Sequence, residues 1–134
     1  MIAGIGTKPV ADEERLARFI LRREHVRADG TVKPDPFMPY KWVELSVTRH
    51  LGLDERQLWD AGRGVAEETK TTLYGRADVE AASFIRQRLR VLPRPLPQNP
   101  NHADVVDWPA DKAAQKEIAL LVAREAIFRS TPTS

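Results

Sequence analysis

The chain contains no cysteine. Disulfides, thiol nucleophiles and zinc–thiolate sites are excluded together. It also lacks any apolar run near the roughly 18 residues needed for a bilayer-spanning helix, so no membrane partner is expected. The opening MIAGIGTKPVADEE has an apolar start but no charged leading segment and no long apolar stretch. A signal peptide is therefore not expected, and the anticipated address is cytoplasmic. Nucleotide-binding signatures are missing too. Gly62-Arg63-Gly64 has neither the lysine nor the hydroxyl of a phosphate-binding loop, and no dinucleotide fingerprint follows a strand pattern. Ser46 has no nucleophile elbow around it, and the signature of an RNA-binding sheet is absent. No cofactor is expected.

What is present suits one domain. The 134 residues are 42% hydrophobic and 30% charged, enough for a core without staples. Residues 1–10 read as a flexible tail, 11–129 as the domain and 130–134 as a frayed end. The net charge is only +2, but it is unevenly spread. Arg15, Arg18, Arg22, Arg23 and Arg27 stand against Glu24 alone, and Arg86, Arg88, Arg90 and Arg94 have no acid among them. Such runs are either solvated faces or surfaces for phosphates and acidic partners.

Local patterns predict a small α/β domain of the α+β type, with three or four short strands and three or four helices packed on the sheet. Residues 13–27 are open to two readings. Asp12, Glu13 and Glu14 favour a helix start, whereas RFIL suits a strand. Pro34, Pro36 and Pro39 make 28–41 a turn-rich connector whose Phe37, Met38 and Tyr40 pack inward. Val43, Leu45 and Val47 alternate with polar residues, as in a half-buried strand. Asp54 with Gln57 forms a capping box, Leu53 and Leu58 a hydrophobic staple, and Gly62 with Gly64 a stop, predicting a helix over 55–61. Strands are expected at 71–74, 89–92 and 103–106. A helix capped by Asp78 is expected over 79–88, and another, capped at Asp107 or Trp108, over 110–128. Trp42, Trp59 and Trp108 read as core or interface anchors.

The most unusual stretch is LPRPLPQNPNH, residues 92–102. Its prolines enforce extended geometry, and Asn99-Pro100-Asn101-His102 has β-turn composition. Little entropy remains in such a turn, so His102 would be presented reproducibly. It is the leading candidate for an acid–base, phosphate or partner contact, against the alternative of a histidine closing its own turn. Arg49 and His50, at a strand end, come next. His102 and Asp104 would give only two metal ligands on one strand, with His25 and His50 far off, and no metal site is expected. The candidate binding residues are Arg86, Arg88, Arg90, Arg94, Asn99, Asn101 and His102.

PDPFMP, ELSVTR, LYGRADV and NPNHADVVDWPADKAAQKEIA, taken in this order, resemble a family of small bacterial proteins. That family shares F-x-P, L-S-V-x-R, N-P-x-H-A-x-V and W-P followed by a last helix. The likeness covers residues 37 to the final helix and is most specific over 99–108. It implies a bacterial cytoplasmic setting, points to Arg49 and His102, and suggests an association with toxin–antitoxin or defence genes. It implies no activity. Three functions stay open. The first is a non-catalytic interaction module, accessory or antitoxin-like, that binds a protein partner or its own copy. The second is an enzyme acting on a nucleotide or RNA through Arg49 and His102, which requires both to reach one pocket. The third is nucleic-acid binding by the basic runs.

Overall fold

The computed structural model describes residues 6–39 and 43–132. They form one six-stranded, wholly antiparallel sheet in the order β4-β5-β2-β1-β3-β6. The strands are β1 (Arg15–Ile20), β2 (Leu45–Arg49), β3 (Gly75–Glu80), β4 (Arg90–Pro93), β5 (His102–Val106) and β6 (Ile127–Ser130). Among the described residues, three α-helices of five or more residues accompany the sheet: α1 (Glu55–Thr69), the short α2 (Ala81–Ile85) and α3 (Lys112–Glu125).

The α+β class agrees with the sequence pattern, but the sheet has six strands where three or four were expected. The 13–27 segment supplies one of them. β1 lies between β2 and β3 and is buried on both faces: Leu16 and Ile20 enter one core, Ala17 and Phe19 the other. A strand buried on both sides loses the polar–apolar alternation by which strands are recognised, and so resembles a helix in sequence. The same effect hides β3. Asp78 does not cap a helix; it lies within a strand that takes Gly75–Glu80, and the predicted 79–88 helix shrinks to Ala81–Ile85. Thr71–Tyr74 is the connection into β3 and not a strand.

α1 begins as expected. Asp54 accepts from the Gln57 backbone N–H at 2.8 Å, and Gln57 Oε1 accepts from the Asp54 N–H at 2.9 Å. It does not stop at Gly62 or Gly64 but runs to Thr69, ending on Lys70 in the left-handed conformation. Gly62 is a packing glycine: a Cβ there would come 2.7 Å from the Phe19 ring. The final helix starts later than predicted. Asp111, not Asp107 or Trp108, caps it through the Ala114 N–H at 2.9 Å. It also ends earlier, because Ile127–Ser130 pair with β3 as an edge strand.

Strand register assigns the two faces. Leu16, Val47, Ala77, Val79, Val91, Ala103 and Val105 point to the larger core, closed by Phe84 of α2, by Ala119, Val122 and Ala123 of α3, and by Phe37 of the proline-rich connector. Phe37 and Phe84 pack with ring centroids 6.2 Å apart. Among the described residues, the opposite face carries one helix, α1, seated on Ala17 and Phe19 through Leu58. One helix is too narrow to cover six strands, and a groove is left beside it.

Candidate functional site

The expected turn at the β4–β5 junction is present. The His102 N–H donates to the Asn99 carbonyl at 3.0 Å, and Leu96 and Asn99 exchange backbone bonds of 3.0 Å just before it. The hairpin loop is anchored by its two asparagines, both 7% exposed. Asn99 Nδ2 donates to Thr48 Oγ1 at 2.9 Å, and Asn101 Nδ2 to the carbonyls of Arg49 (2.9 Å) and Leu51 (2.7 Å). These residues position the loop; Asn101 is committed to backbone.

His102 pairs with Thr48 across β5 and β2, so both face α1. Its Nδ1 lies 3.0 Å from the Arg94 carbonyl, the bond by which a histidine closes its own hairpin. That bond makes Nδ1 the donor, while Nε2 lies 3.5 Å from Asp104 Oδ1. Ser46 Oγ donates to the same Asp104 oxygen at 3.3 Å, and Arg94 Nη1 joins Asp104 (3.1 Å) to Glu44 (2.8 Å). Histidine and serine thus both approach a carboxylate that stands between them. A nucleophilic triad needs the imidazole in the middle, able to take the hydroxyl proton. Here no histidine–serine bond exists, and the arrangement is a hydrogen-bonded floor rather than a nucleophile.

The groove runs over this floor. A cavity of about 210 Å³ is bounded by Ala61, Gly64 and Val65 of α1, by Ser46 and His102 below, and by Leu96 of the hairpin. A second hollow of about 300 Å³ continues it toward Gln57 and Leu53, sharing Ala61, Gln98 and Asn99 with the first. From Gln57 to Thr69 the groove follows about 18 Å of helix at 1.5 Å per residue.

Arg49 is elsewhere. It follows Thr48 in the same strand and therefore faces the other side of the sheet, fully buried. Nε and Nη2 grip Glu14 at 2.6 and 2.8 Å, and Nη1 reaches the Lys8 carbonyl at 2.6 Å and the Gly6 carbonyl at 3.3 Å. Residues 6–9, which the sequence suggests are a flexible tail, are held by this clamp. The common pocket that the nucleotide- or RNA-acting reading requires of Arg49 and His102 is not formed.

The second basic run is largely paired. Arg86 binds Glu125 through Nη2 at 2.6 and 2.7 Å, Arg90 binds Asp107, and Arg94 binds Glu44 and Asp104. These side chains are spread over a helix end and a strand, not one helical face. Arg88 is exposed in the left-handed region. Arg86 lines a separate hollow of about 230 Å³ with Arg15 and Arg129, where Glu80, Glu125 and Asp78 balance the charge.

Beneath the N-terminal end of α1 lies a network that the sequence did not reveal. Arg76, 2% exposed, donates to Asp78 at 2.9 Å and to Glu55 at 2.8 Å, and its guanidinium sits 4.6 Å from the Trp59 ring centroid. His50 Nε2 is 3.0 Å from Asp78. Burial tends to raise the Asp78 pKa, but the bonds from His50 and Arg76 outweigh it and hold the carboxyl below its ordinary value. Arg76 also holds the Glu55 carboxyl low. The network fastens α1 to β3. Only the cross-strand register brings these residues together.

Trp59 and Trp108 are both buried, as anchors should be, and Trp108 Nε1 donates to the Val105 carbonyl at 3.0 Å. Tyr40 and Trp42 lie outside the described residues. Among the described residues, no three His, Asp or Glu side chains gather in a set that could hold a metal, and no helix is long and apolar enough to cross a membrane.

Geometry and topology define a class: an α+β protein with a single antiparallel sheet, one face sealed and the other half-covered by a helix. No family model, curated protein or solved structure matches the chain.

Proposed function

We propose that the protein is a non-catalytic interaction module, and that the groove between α1 and the β4–β5 hairpin receives an extended segment of a partner polypeptide. The observation that carries this reading is the groove itself. It is about 18 Å long, room for five or six extended residues at about 3.3 Å each, and longer than a small metabolite needs. Its floor offers Ser46, Asn99 and His102, while Ala61, Val65 and Leu96 supply apolar contact. This is the mixture by which peptide-binding surfaces combine affinity with register. The Ser46–Asp104–His102 order supports binding over acyl transfer. A bacterial accessory or antitoxin-like subunit is the setting this reading suits.

Native mass spectrometry of the protein purified gently from its host tests the reading. The expected result is a co-purifying polypeptide that is lost from both His102→Ala and Leu96→Glu, while each variant keeps the wild-type circular dichroism spectrum. Leu96 is 36% exposed at the hairpin tip, so its substitution leaves the core untouched. A partner retained by both variants overturns the groove as its site. A bare monomer under every native condition overturns the module.

A further inference from the structure

On the side of the sheet opposite the groove, α3 and the turn that follows Val26 enclose a hollow of about 340 Å³. Val32 and Ala123, both core residues, and the half-buried Leu120 give it an aliphatic floor. Arg27 and Arg124 line it, and no acidic residue does. Arg27 uses only Nη1 within the fold, donating to Thr31 Oγ1 at 3.3 Å and to the Val32 carbonyl at 3.2 Å. Among the described residues the Arg124 guanidinium makes no hydrogen bond, and neither arginine forms an ion pair. Nearby acids are engaged elsewhere. Asp29 attracts Arg27 from a distance, but its Oδ1 accepts from the Thr31 N–H at 2.9 Å and the Thr31 hydroxyl at 2.6 Å. Glu125, beside Arg124, is held by Arg86. Along α3, Lys116, Leu120 and Arg124 stand in one row at four-residue spacing, with both cations exposed.

We infer that this hollow is a docking surface for an acidic segment of a partner polypeptide, in which an aliphatic side chain on Val32, Leu120 and Ala123 is flanked by carboxylates held by Arg27 and Arg124. Charge selects the occupant. Guanidinium groups with no carboxylate of their own match one presented from outside, through paired N–H donors. The floor separates a polypeptide from a nucleic acid: single strands seat their bases on aromatic rings, and this lining has none. In an extended chain alternate residues share a side, so acids two positions before and after an aliphatic residue face the same way as it does. The surface lies across the sheet from the groove, and the inference does not depend on the groove-binding role.

The test adds the peptide acetyl-Asp-Asp-Leu-Asp-Asp-amide to the isotope-labelled full chain and follows amide NMR shifts. Saturable shifts are expected at Thr31, Val32, Leu120 and Arg124 and not at Ser46 or His102, with a dissociation constant on the order of 1 mM for so short a probe. Raising salt from about 50 to 300 mM should weaken binding several-fold. Arg27→Ala should weaken it about threefold, and Arg124→Glu should abolish it while the circular dichroism spectrum is unchanged. Replacing the leucine of the peptide by serine should also weaken it several-fold. Absence of saturable shifts at these positions overturns the surface, as does binding that survives Arg124→Glu or that is indifferent to salt. Equal binding of the serine peptide removes the aliphatic anchor and with it the proposed fit. A ten-nucleotide single-stranded DNA that shifts the same residues more strongly than the peptide assigns the arginines to phosphate and overturns the polypeptide. Shifts at Ser46 and His102 alone would move the acidic segment to the groove and equally overturn this surface.

Discussion

Arg49 shows how far a residue's chemistry can mislead when its face is unknown. An arginine at a strand end reads as a phosphate ligand. In the fold it is a buried cross-link that binds Glu14 and three N-terminal carbonyls, those of Gly6, Lys8 and Pro9. Removing one partner of such a pair leaves an uncompensated charge, so Arg49→Ala should lower stability by about 3–5 kcal/mol in urea titrations. Arg49→Lys should recover little, since an ammonium cannot reproduce a fork bound at two edges. His102 is the opposite case. The stiff turn that carries it was legible from proline and asparagine placement, and so was Asp104, two residues on and on the same side; in the fold its Nδ1 closes that hairpin on the Arg94 carbonyl. Ser46 was not, because its link to Asp104 crosses 58 positions of sequence.

At the scale of elements, α1 depends on two fastenings of different legibility. Its N-terminal capping box is local and readable, and Asp54→Ala should cost about 1 kcal/mol in thermal or chemical denaturation. Its hold on the sheet through Glu55, Arg76 and Asp78 is not local. The Asp78 carboxyl is held low in the folded state. It therefore contributes stability that is full above the unfolded-state value of about 3.9 and is lost as pH falls through the lower folded value. The melting temperature measured between pH 6 and 2 should drop most steeply below about pH 4. Asp78→Asn should start lower at pH 6 and flatten that acid limb. Equal acid slopes in both proteins would remove the network from the account. Gly62 and Gly64 read locally as a stop, which gives α1 only about half its true length. One fits the Phe19 ring and the other opens the groove; neither adopts the left-handed conformation that ends a helix.

For the whole molecule, charge pairing decides what the second arginine run can do; in the first run, among the described residues, Arg22 alone has a carboxylate pair, with Glu24. Arg86, Arg90 and Arg94 each meet a carboxylate from a distant part of the chain. Paired arginines release few counterions from a nucleic acid, so the 86–94 run should add no measurable affinity for duplex DNA or RNA at micromolar protein in 150 mM salt. A steep salt-dependent affinity in filter binding that is lost when Arg86, Arg90 and Arg94 are replaced by alanine would reverse that expectation. The class of the fold, the hairpin turn, the start of α1 and the strands around 45–49, 90–93 and 102–106 were all present in the amino-acid sequence. They rest on torsional restriction, capping and two-residue alternation, which act over a few neighbours. The strands β1, β3 and β6, the destination of Arg49 and the groove beside α1 were decided only by tertiary structure. Burial on both faces erases the periodicity that would mark β1 and β3, β6 is an exposed edge strand defined by its pairing with β3, and which face a side chain meets is fixed by cross-strand register, a relation between residues far apart in the chain.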